Sequence, residues 1–349
     1  MDETMGTASL VTGANGYIGS HLVDRLLEGK DDKVVAMVLK GTDESNLADA
    51  KKSPKFSIVY ADLMDPASLE KAFEGINTIY HLAALVTDWA PKELYMRVIV
   101  GGTKNVVEAA IKTGVKRLVY MSSLVVHGLG GHVRADETAP IKPVPFFPYA
   151  VAKAEAEAFL QDVIKSGKLE VVIVRPGFDI IGPRSATTFA QLAAQLEKGR
   201  YAFMAGGKKL ISLVNVKNLA AGMAHVGAYP AAAGEAYVIT DASWTHRKYA
   251  EEICKRFGSQ LKAASVPYAL AAFIASIMEG FARLFKAKKG PILNRYRVSI
   301  PRNDIDFKTD KLLSTGFKPP FTLEQGLDEA VAWYKEWKSS IAAKGGKKP

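Results

Sequence analysis

Two side chains four residues apart, Tyr149 and Lys153, offer acid–base chemistry. In a helix that spacing puts both on one face. A lysine cation beside a phenol favours the phenolate, which draws a tyrosine pKa from about 10 toward the range useful for proton transfer. Lysine also donates to the hydroxyls of a ribose. The pair Ser122-Ser123 closes the apolar run Leu118-Val119-Tyr120-Met121, and a serine hydroxyl at a strand end orients the oxygen that gains or loses the proton. A second Tyr-x-x-x-Lys, Tyr334 and Lys338, stands among Trp333 and Trp337 near the end of the chain. It has no serine-ending strand or glycine-rich turn at hand, and its tryptophans point to packing, so context selects Tyr149.

These groups need a scaffold and a reaction partner. Val11-Thr12-Gly13-Ala14-Asn15-Gly16-Tyr17-Ile18-Gly19 follows the short apolar run Ala8 to Val11 and opens an amphipathic segment, Ile18 to Leu27. Strand, glycine-rich turn and helix in that order form an anion site. The backbone N–H groups point outward and the helix N-terminus carries roughly half a positive charge. The glycines fall as G-x-x-G-x-x-G rather than G-x-G-x-x-G, and the spacing predicts a dinucleotide pyrophosphate on the turn.

Further along, apolar β-branched runs alternate with helical stretches. Strands are predicted at Val34 to Leu39, Phe56 to Val59, Thr78 to His81, Arg117 to Ser122 and Glu170 to Val174. Helices are predicted at Pro66 to Phe73, Lys92 to Lys112 and Tyr149 to Ser166. Strands without internal alternation are covered on both faces. The fold class is therefore α/β, a Rossmann-type doubly wound parallel sheet of about seven strands with ligands at the C-terminal strand ends. The rhythm changes at Arg175-Pro176-Gly177. A helix near Phe189 to Lys198 follows, and a strand–helix–strand passage from Leu210 to Ile239 is expected to return to the sheet. The rest, Asp241 to Lys338, is expected to be mostly helical, a smaller substrate-binding region over the ligand edge.

Composition narrows the function class. The chain has 349 residues, a net charge of +10 and 48% hydrophobic residues, ample for a packed core. Its basic residues are dispersed apart from Lys286-Ala287-Lys288-Lys289 and the tail Lys344 to Pro349, and no nucleic-acid motif is present. One cysteine, Cys254, excludes a disulfide framework and fits a reducing, cytoplasmic setting. The polar start, with Asp2 and Glu3, does not read as a signal peptide. The histidines form no metal-binding spacing, and no metal is expected; His81, ending a buried strand, reads as a core residue.

In their order these motifs resemble the extended short-chain dehydrogenases/reductases, within the NAD-dependent epimerase/dehydratase superfamily. The resemblance runs from the glycine turn through Tyr60-Ala61-Asp62-Leu63, His81-Leu82-Ala83-Ala84, Gly102-Thr103, Ser122-Ser123, Tyr149/Lys153 and Arg175-Pro176 to Thr315-Gly316-Phe317-Lys318-Pro319. It implies an NAD(P)-binding domain over residues 5–176 plus about 210–240, a substrate-binding region over 177–209 and 241–340, a basic tail 341–349, and a homodimer. It implies cofactor contacts from Gly13, Asn15, Gly16, Tyr17, Ile18 and Gly19, with Asp62 and Leu63 at the adenine and Ala83 and Ala84 behind the cofactor. Ser122, Tyr149 and Lys153 also touch it, and Pro176 passes the nicotinamide. The catalytic group becomes Ser123, Tyr149 and Lys153, with Ser123 five residues before Gly128 and Ser122 as the fallback. One departure is Ile99, where the family usually has an asparagine, which removes any water relay through that amide.

The residues around Ala84-Leu85-Val86-Thr87-Asp88-Trp89 and from Val266-Pro267-Tyr268 to Phe285 resemble the 3β-hydroxysteroid (sterol) dehydrogenase-like and dihydroflavonol-reductase-like branches. The function so implied is an NAD(P)-dependent oxidoreductase acting on the hydroxyl or keto group of an apolar, sterol-like substrate. The alternatives are a sugar-nucleotide epimerase/dehydratase with the same Ser/Tyr/Lys group and a non-catalytic nucleotide sensor. The second strand ends without the acid that usually marks NAD selectivity, and Lys40 follows it, so the cofactor expected is NADP, with NAD also used. The apolar run Ala263 to Met278 is too short to span a bilayer; with the basic residues after it, 263–289 is either a lid or a peripheral membrane contact.

Overall fold

The computed structural model describes residues 7–285, 287 and 289–343. Seven parallel strands form the central sheet, in the spatial order Ala236–Ile239, Glu170–Pro176, Arg117–Met121, Thr78–His81, Ala8–Thr12, Lys33–Val38 and Phe56–Tyr60. The inner strands Ala8–Thr12 and Arg117–Met121 are buried along their whole length, which explains why neither alternates apolar with exposed polar residues. One core layer packs the helices Pro66–Phe73, Gly102–Lys112 and Pro148–Ser166 against the sheet. The other packs Tyr17–Leu27 and Val216–Ala228.

The expected helix Lys92 to Lys112 exists with a modification. Lys92–Tyr95 runs through π-helical turns at Met96–Gly101 into Gly102–Lys112. Ile99 lies in those turns, buried in the same core layer, so an apolar side chain suits its surroundings.

The passage from Leu210 to Ile239 departs from expectation. Only Ala236–Ile239 joins the central sheet. Leu210–Asn215 belongs to a second sheet, ordered Ala242–Thr245, Leu210–Asn215, Ile305–Phe307 and His132–Ala135, with Asp179–Ile181 also pairing to Leu210–Asn215. Gly177 permits the close approach of this second sheet. A Cβ there would stand 3.1 Å from the Leu213 carbonyl carbon and from the Val214 side chain, and just beyond it Asp179–Ile181 pairs with Leu210–Asn215. The region after Asp241 accordingly carries three short strands among its helices: Ala242–Thr245, Lys262–Val266 and Ile305–Phe307.

Candidate active site

The glycine turn is shaped for an anion. Gly13 has φ +67°, and a Cβ on it would stand 3.0 Å from the Cα of Ala83. A Cβ on Gly19 would collide with the Gly13 carbonyl oxygen. The helix Tyr17–Leu27 has no side-chain cap at Gly16 and no acid in its first turn, leaving its N–H groups and partial positive charge for a ligand. The residues present therefore fit a dinucleotide.

Thr12 locks this turn to the neighbouring strand end. Its hydroxyl accepts from the amides of Leu82 and Ala83 at 3.1 and 3.0 Å, so its one proton goes to Nδ1 of His81 at 2.8 Å. His81 then carries its proton on Nε2, facing the Thr103 hydroxyl at 3.3 Å. Burial lowers its pKa to about 3, and the imidazole is neutral.

The remaining expected cofactor residues are placed as follows. The Asn15 amide donates to Thr42 Oγ1 and the Asp43 carbonyl, tying the turn to the loop that holds exposed Lys40. The Tyr17 hydroxyl donates to the Ile180 carbonyl at 3.2 Å, away from the turn, so Tyr17 offers its backbone there. Ile18 packs into the core layer beneath. The Asp62 carboxylate accepts from the Met64 amide, and Leu63 packs against Gly102. Ala83 and Ala84 line the opposite core layer.

Two strand ends converge on Tyr149. Its helix begins at Pro148 and is capped by Gly167 in the left-handed conformation. Tyr149 packs in one cluster with Val125, Val144, Phe147, Phe178 and Tyr296. Val125 stands two residues after Ser123, and Phe178 two after Pro176. Ser123 caps the short helix Leu124–His127, its Oγ accepting from the Val125 amide at 3.4 Å. Ser122 is buried, and its Oγ has no protein partner.

The electrostatics correct one expectation. Lys153 does not pull the Tyr149 phenol down. Burial, with Tyr95 beside it, holds that pKa well above the usual value. The Lys153 ammonium is itself buried, donates to the Met121 carbonyl at 2.7 Å and lies over the Tyr120 ring, and desolvation lowers its pKa to about 7. A buried ion pair fixes the same helix to the sheet: Arg175 donates twice to Glu157, at 3.0 and 2.6 Å.

The aromatic wall is not legible in the local sequence. Tyr95 meets Tyr149 edge to face at 6.3 Å, and Tyr296 stacks on Phe147 at 3.6 Å. Tyr296 comes from the helix Arg295–Ser299, which is anchored by Asp88: its carboxylate accepts from Arg297 at 2.5 Å and Asn294 at 2.8 Å. Contacts across some 200 residues leave no local signal. The decoy Tyr334 is buried beside Trp337, with Lys338 bound to Glu197, far along the chain from these strand ends.

Fold and site define a dinucleotide-dependent enzyme of the Rossmann class. A family model described as the NAD dependent epimerase/dehydratase family matches residues 9–240, and the chain belongs to that family. The 3beta-hydroxysteroid-dehydrogenase/decarboxylase isoform 1 of Arabidopsis thaliana is 29% identical, covering 95% of this chain and 80% of that protein. The N-acetyl-alpha-D-glucosaminyl-diphospho-ditrans,octacis-undecaprenol 4-epimerase of Escherichia coli O157:H7 is 26% identical, covering 93% and 94%. The solved structure of the dTDP-glucose 4,6-dehydratase DesIV from Streptomyces venezuelae, which holds NAD, superposes with a TM-score of 0.76 over 96% of this chain and 98% of that one at 24% identity. The protein is thus an enzyme acting on CH–OH groups with a nicotinamide dinucleotide.

Proposed function

We propose that the protein oxidises or reduces the hydroxyl or keto carbon of an apolar, sterol-like substrate. One observation carries this reading. The side chains packed about Tyr149 are aromatic or aliphatic, and the cations nearest Tyr296, Arg295 and Arg297, are paired with Glu279 and Asp88 rather than facing a substrate diphosphate. The likeness to the Arabidopsis dehydrogenase/decarboxylase supports the same class.

A bound nicotinamide supplies or accepts the hydride. Tyr149 exchanges the proton with the substrate oxygen, and Ser123 holds that oxygen by a hydrogen bond. Near neutrality the phenol keeps its proton, so the resting arrangement is ready to protonate an oxygen. Lys153 ties the tyrosine helix to the serine strand end. Gly13, Gly16 and Gly19 take the pyrophosphate, Asp62 and Leu63 the adenine, and Ala83, Ala84, Ser122 and Pro176 the nicotinamide half. Residues 5–176 with about 210–240 serve as the cofactor domain, and 177–209 with 241–340 serve the substrate.

NADP is the preferred cofactor in this reading, with NAD also used, and the working form is a cytoplasmic homodimer that meets a membrane peripherally through 263–289. The test is incubation with NADP+ or NAD+ and a sterol panel, following absorbance of the reduced cofactor. Growth of that absorbance with a sterol supports the reading. The second reading, a sugar-nucleotide epimerase, draws on the 26% identity to the Escherichia coli epimerase. It predicts product without net cofactor reduction, and that outcome would replace the first.

A further inference from the structure

The helix Tyr268–Leu284 is built the wrong way round for a lid. Its buried stripe is Ala271, Ala275 and Glu279, spaced four apart, small residues plus one acid. Its large apolar residues face outward: Phe273 is 65% exposed, Phe281 58% and Leu284 72%, with Leu270, Ile274 and Ile277 on the same side. A helix packing over a pocket turns its phenylalanines inward, where each buried large side chain contributes roughly 1.5–3 kcal/mol. Here that contribution is left for something outside the chain.

The charge pattern says what the partner is. Glu279 is the only acid between 263 and 289, and it faces inward, held by Arg295 at 2.9 Å and by Arg283. The outward face therefore carries no carboxylate; beside its C-terminal end Arg283 is exposed while paired with Glu279, and Lys289 stands exposed just beyond the helix. Lys286 and Lys288 continue the basic run in sequence but lie outside the described residues. Apolar side chains bordered by cations match the boundary between acyl chains and anionic headgroups. Among the described residues no helix is long and apolar enough to cross a membrane.

The segment that ends this helix is tied by contacts to the candidate site. Trp89 Nε1 donates to the Ala287 carbonyl at 3.0 Å and its ring covers Gly290, so the end of the helix is seated on the loop 82–91. That loop accepts the Tyr95 hydroxyl at Thr87, 2.7 Å away, and the Tyr95 ring meets Tyr149. From the other side, Asp88 fixes the helix that brings Tyr296. Val86, 75% exposed, and Ile292, 80% exposed, are further apolar side chains left open on these same two segments.

We propose that the outward face of Tyr268–Leu284, with Val86 and Ile292, docks on an anionic bilayer, and that the site takes its apolar substrate directly from that bilayer. The delivery half rests on the oxidoreductase reading; the docking half does not. Docking is read by co-sedimentation with vesicles of phosphatidylcholine and phosphatidylglycerol, against phosphatidylcholine alone, without substrate. Wild type is expected in the pellet with the anionic vesicles. The double variant Phe281→Glu/Leu284→Glu, altered only at outward positions, is expected to bind about tenfold or more weakly with unchanged thermal unfolding. Turnover of a sterol embedded in the vesicles should fall in parallel, while turnover of a water-soluble alcohol stays at the wild-type level.

Wild type left in the supernatant at low salt overturns the proposal. So does a double variant that turns over vesicle-borne sterol as well as wild type. If the double variant turns from dimer to monomer in sedimentation while wild type ignores vesicles, the face belongs to a second copy and the proposal fails. Binding to vesicles with no turnover of any alcohol supports docking and counts against the oxidoreductase reading, so the two failures are told apart.

Discussion

The Lys153 ammonium donates to the carbonyl of Met121 at 2.7 Å, one residue before Ser122 and two before Ser123. The helix that carries the phenol is thereby pinned to the strand end that carries the serine. In this arrangement Lys153 acts on geometry as well as on charge, because one of its three N–H donors holds a backbone oxygen. Its partner in pinning the helix is Glu157, one turn further on, bound to Arg175 beside Pro176.

Tyr149→Phe removes the exchangeable proton and keeps the ring that packs with Tyr95 and Phe147. Turnover is expected to fall by about 10² or more, the scale of a general acid/base, with cofactor affinity nearly unchanged. Tyr334→Phe is the control. Its hydroxyl stands 3.5 Å from Glu197, a marginal contact, and its loss should leave turnover at the wild-type level. Normal turnover in the Tyr149 variant would refute the assignment.

Lys153→Met separates the pinning role from the charge. Desolvation lowers the lysine to about 7 in the fold against about 10.5 when unfolded, so the unfolded chain binds the extra proton between those values. Wild-type stability therefore rises with pH from about 7 to about 10.5 through this group, and below 7 the penalty of the buried charge is fully present. The methionine variant lacks that rise, so its stability relative to wild type should be most favourable below pH 7. Turnover should fall at every pH. Denaturant unfolding at pH 6.5 and 9 measures the first effect; parallel curves for both proteins would exclude it.

Breaking the Arg175–Glu157 pair from one side leaves a buried charge alone. Arg175→Met is expected to destabilise by about 3–5 kcal/mol, whereas Arg175→Met with Glu157→Leu should lose much less, because both charges leave together. Equal losses in single and double variants would mean that packing, not charge, decides this contact.

The local parts of this architecture were legible in the sequence, and the long-range parts were not. The glycine turn, the serine-ending strand and the Tyr149/Lys153 spacing are short-range patterns, and each falls on the element expected of it. Leu210–Asn215 falls in a sheet other than the expected one because an apolar run announces a strand without announcing its sheet; its partners, Asp179–Ile181, Ala242–Thr245 and Ile305–Phe307, come from distant segments. The direction of the tyrosine shift was missed because spacing reports a neighbour, while desolvation depends on everything packed around it. Tyr296 and its Asp88 anchor depend on contacts between segments some 200 residues apart. The outward orientation of Phe273 and Phe281 was equally hidden, since periodicity marks an apolar face but not the side on which it lies.

Acid should destabilise the protein through its histidines. Burial lowers His21, His127 and His246 to about 4 and His81 to about 3, against 6.5 when unfolded. As pH falls below 6.5 the unfolded chain takes up protons that the fold refuses, so stability present above 6.5 is lost toward 4. Asp179 and Asp241, raised to about 6 by burial, act in the opposite sense below about 6, as do Asp24 and Asp31, raised by the same cause, but the histidine loss already begins at 6.5. Stability should therefore be lower at pH 5 than at pH 7. His246→Asn should flatten the slope by one proton, roughly 1.4 kcal/mol per pH unit. A wild type equally stable at both values would show that the histidines are protonated in the fold.

Cofactor choice turns on the loop after Lys33–Val38. Gly41, with φ +84°, and the Thr42 hydroxyl, donating to the Leu39 carbonyl at 2.7 Å, fold this loop back, and the Asn15 amide ties it to the glycine turn. Asp43 is the carboxylate nearest in sequence, and it is occupied by the amide and hydroxyl of Ser45, each at 2.9 Å. Lys40 is exposed at the strand end, where the ribose of a dinucleotide on the turn comes to lie. A bound NADP would set its 2′-phosphate against this ammonium in solvent, an interaction worth about 1 kcal/mol or less. Lys40→Ala should accordingly weaken NADP by about two- to fivefold, leave NAD unchanged, and remove part of the salt dependence of NADP binding. Titration of both cofactors against both proteins at low and moderate salt is the measurement. Tighter binding of NAD than of NADP by the wild type, unaltered by the substitution, would assign this loop to a ribose carrying two free hydroxyls.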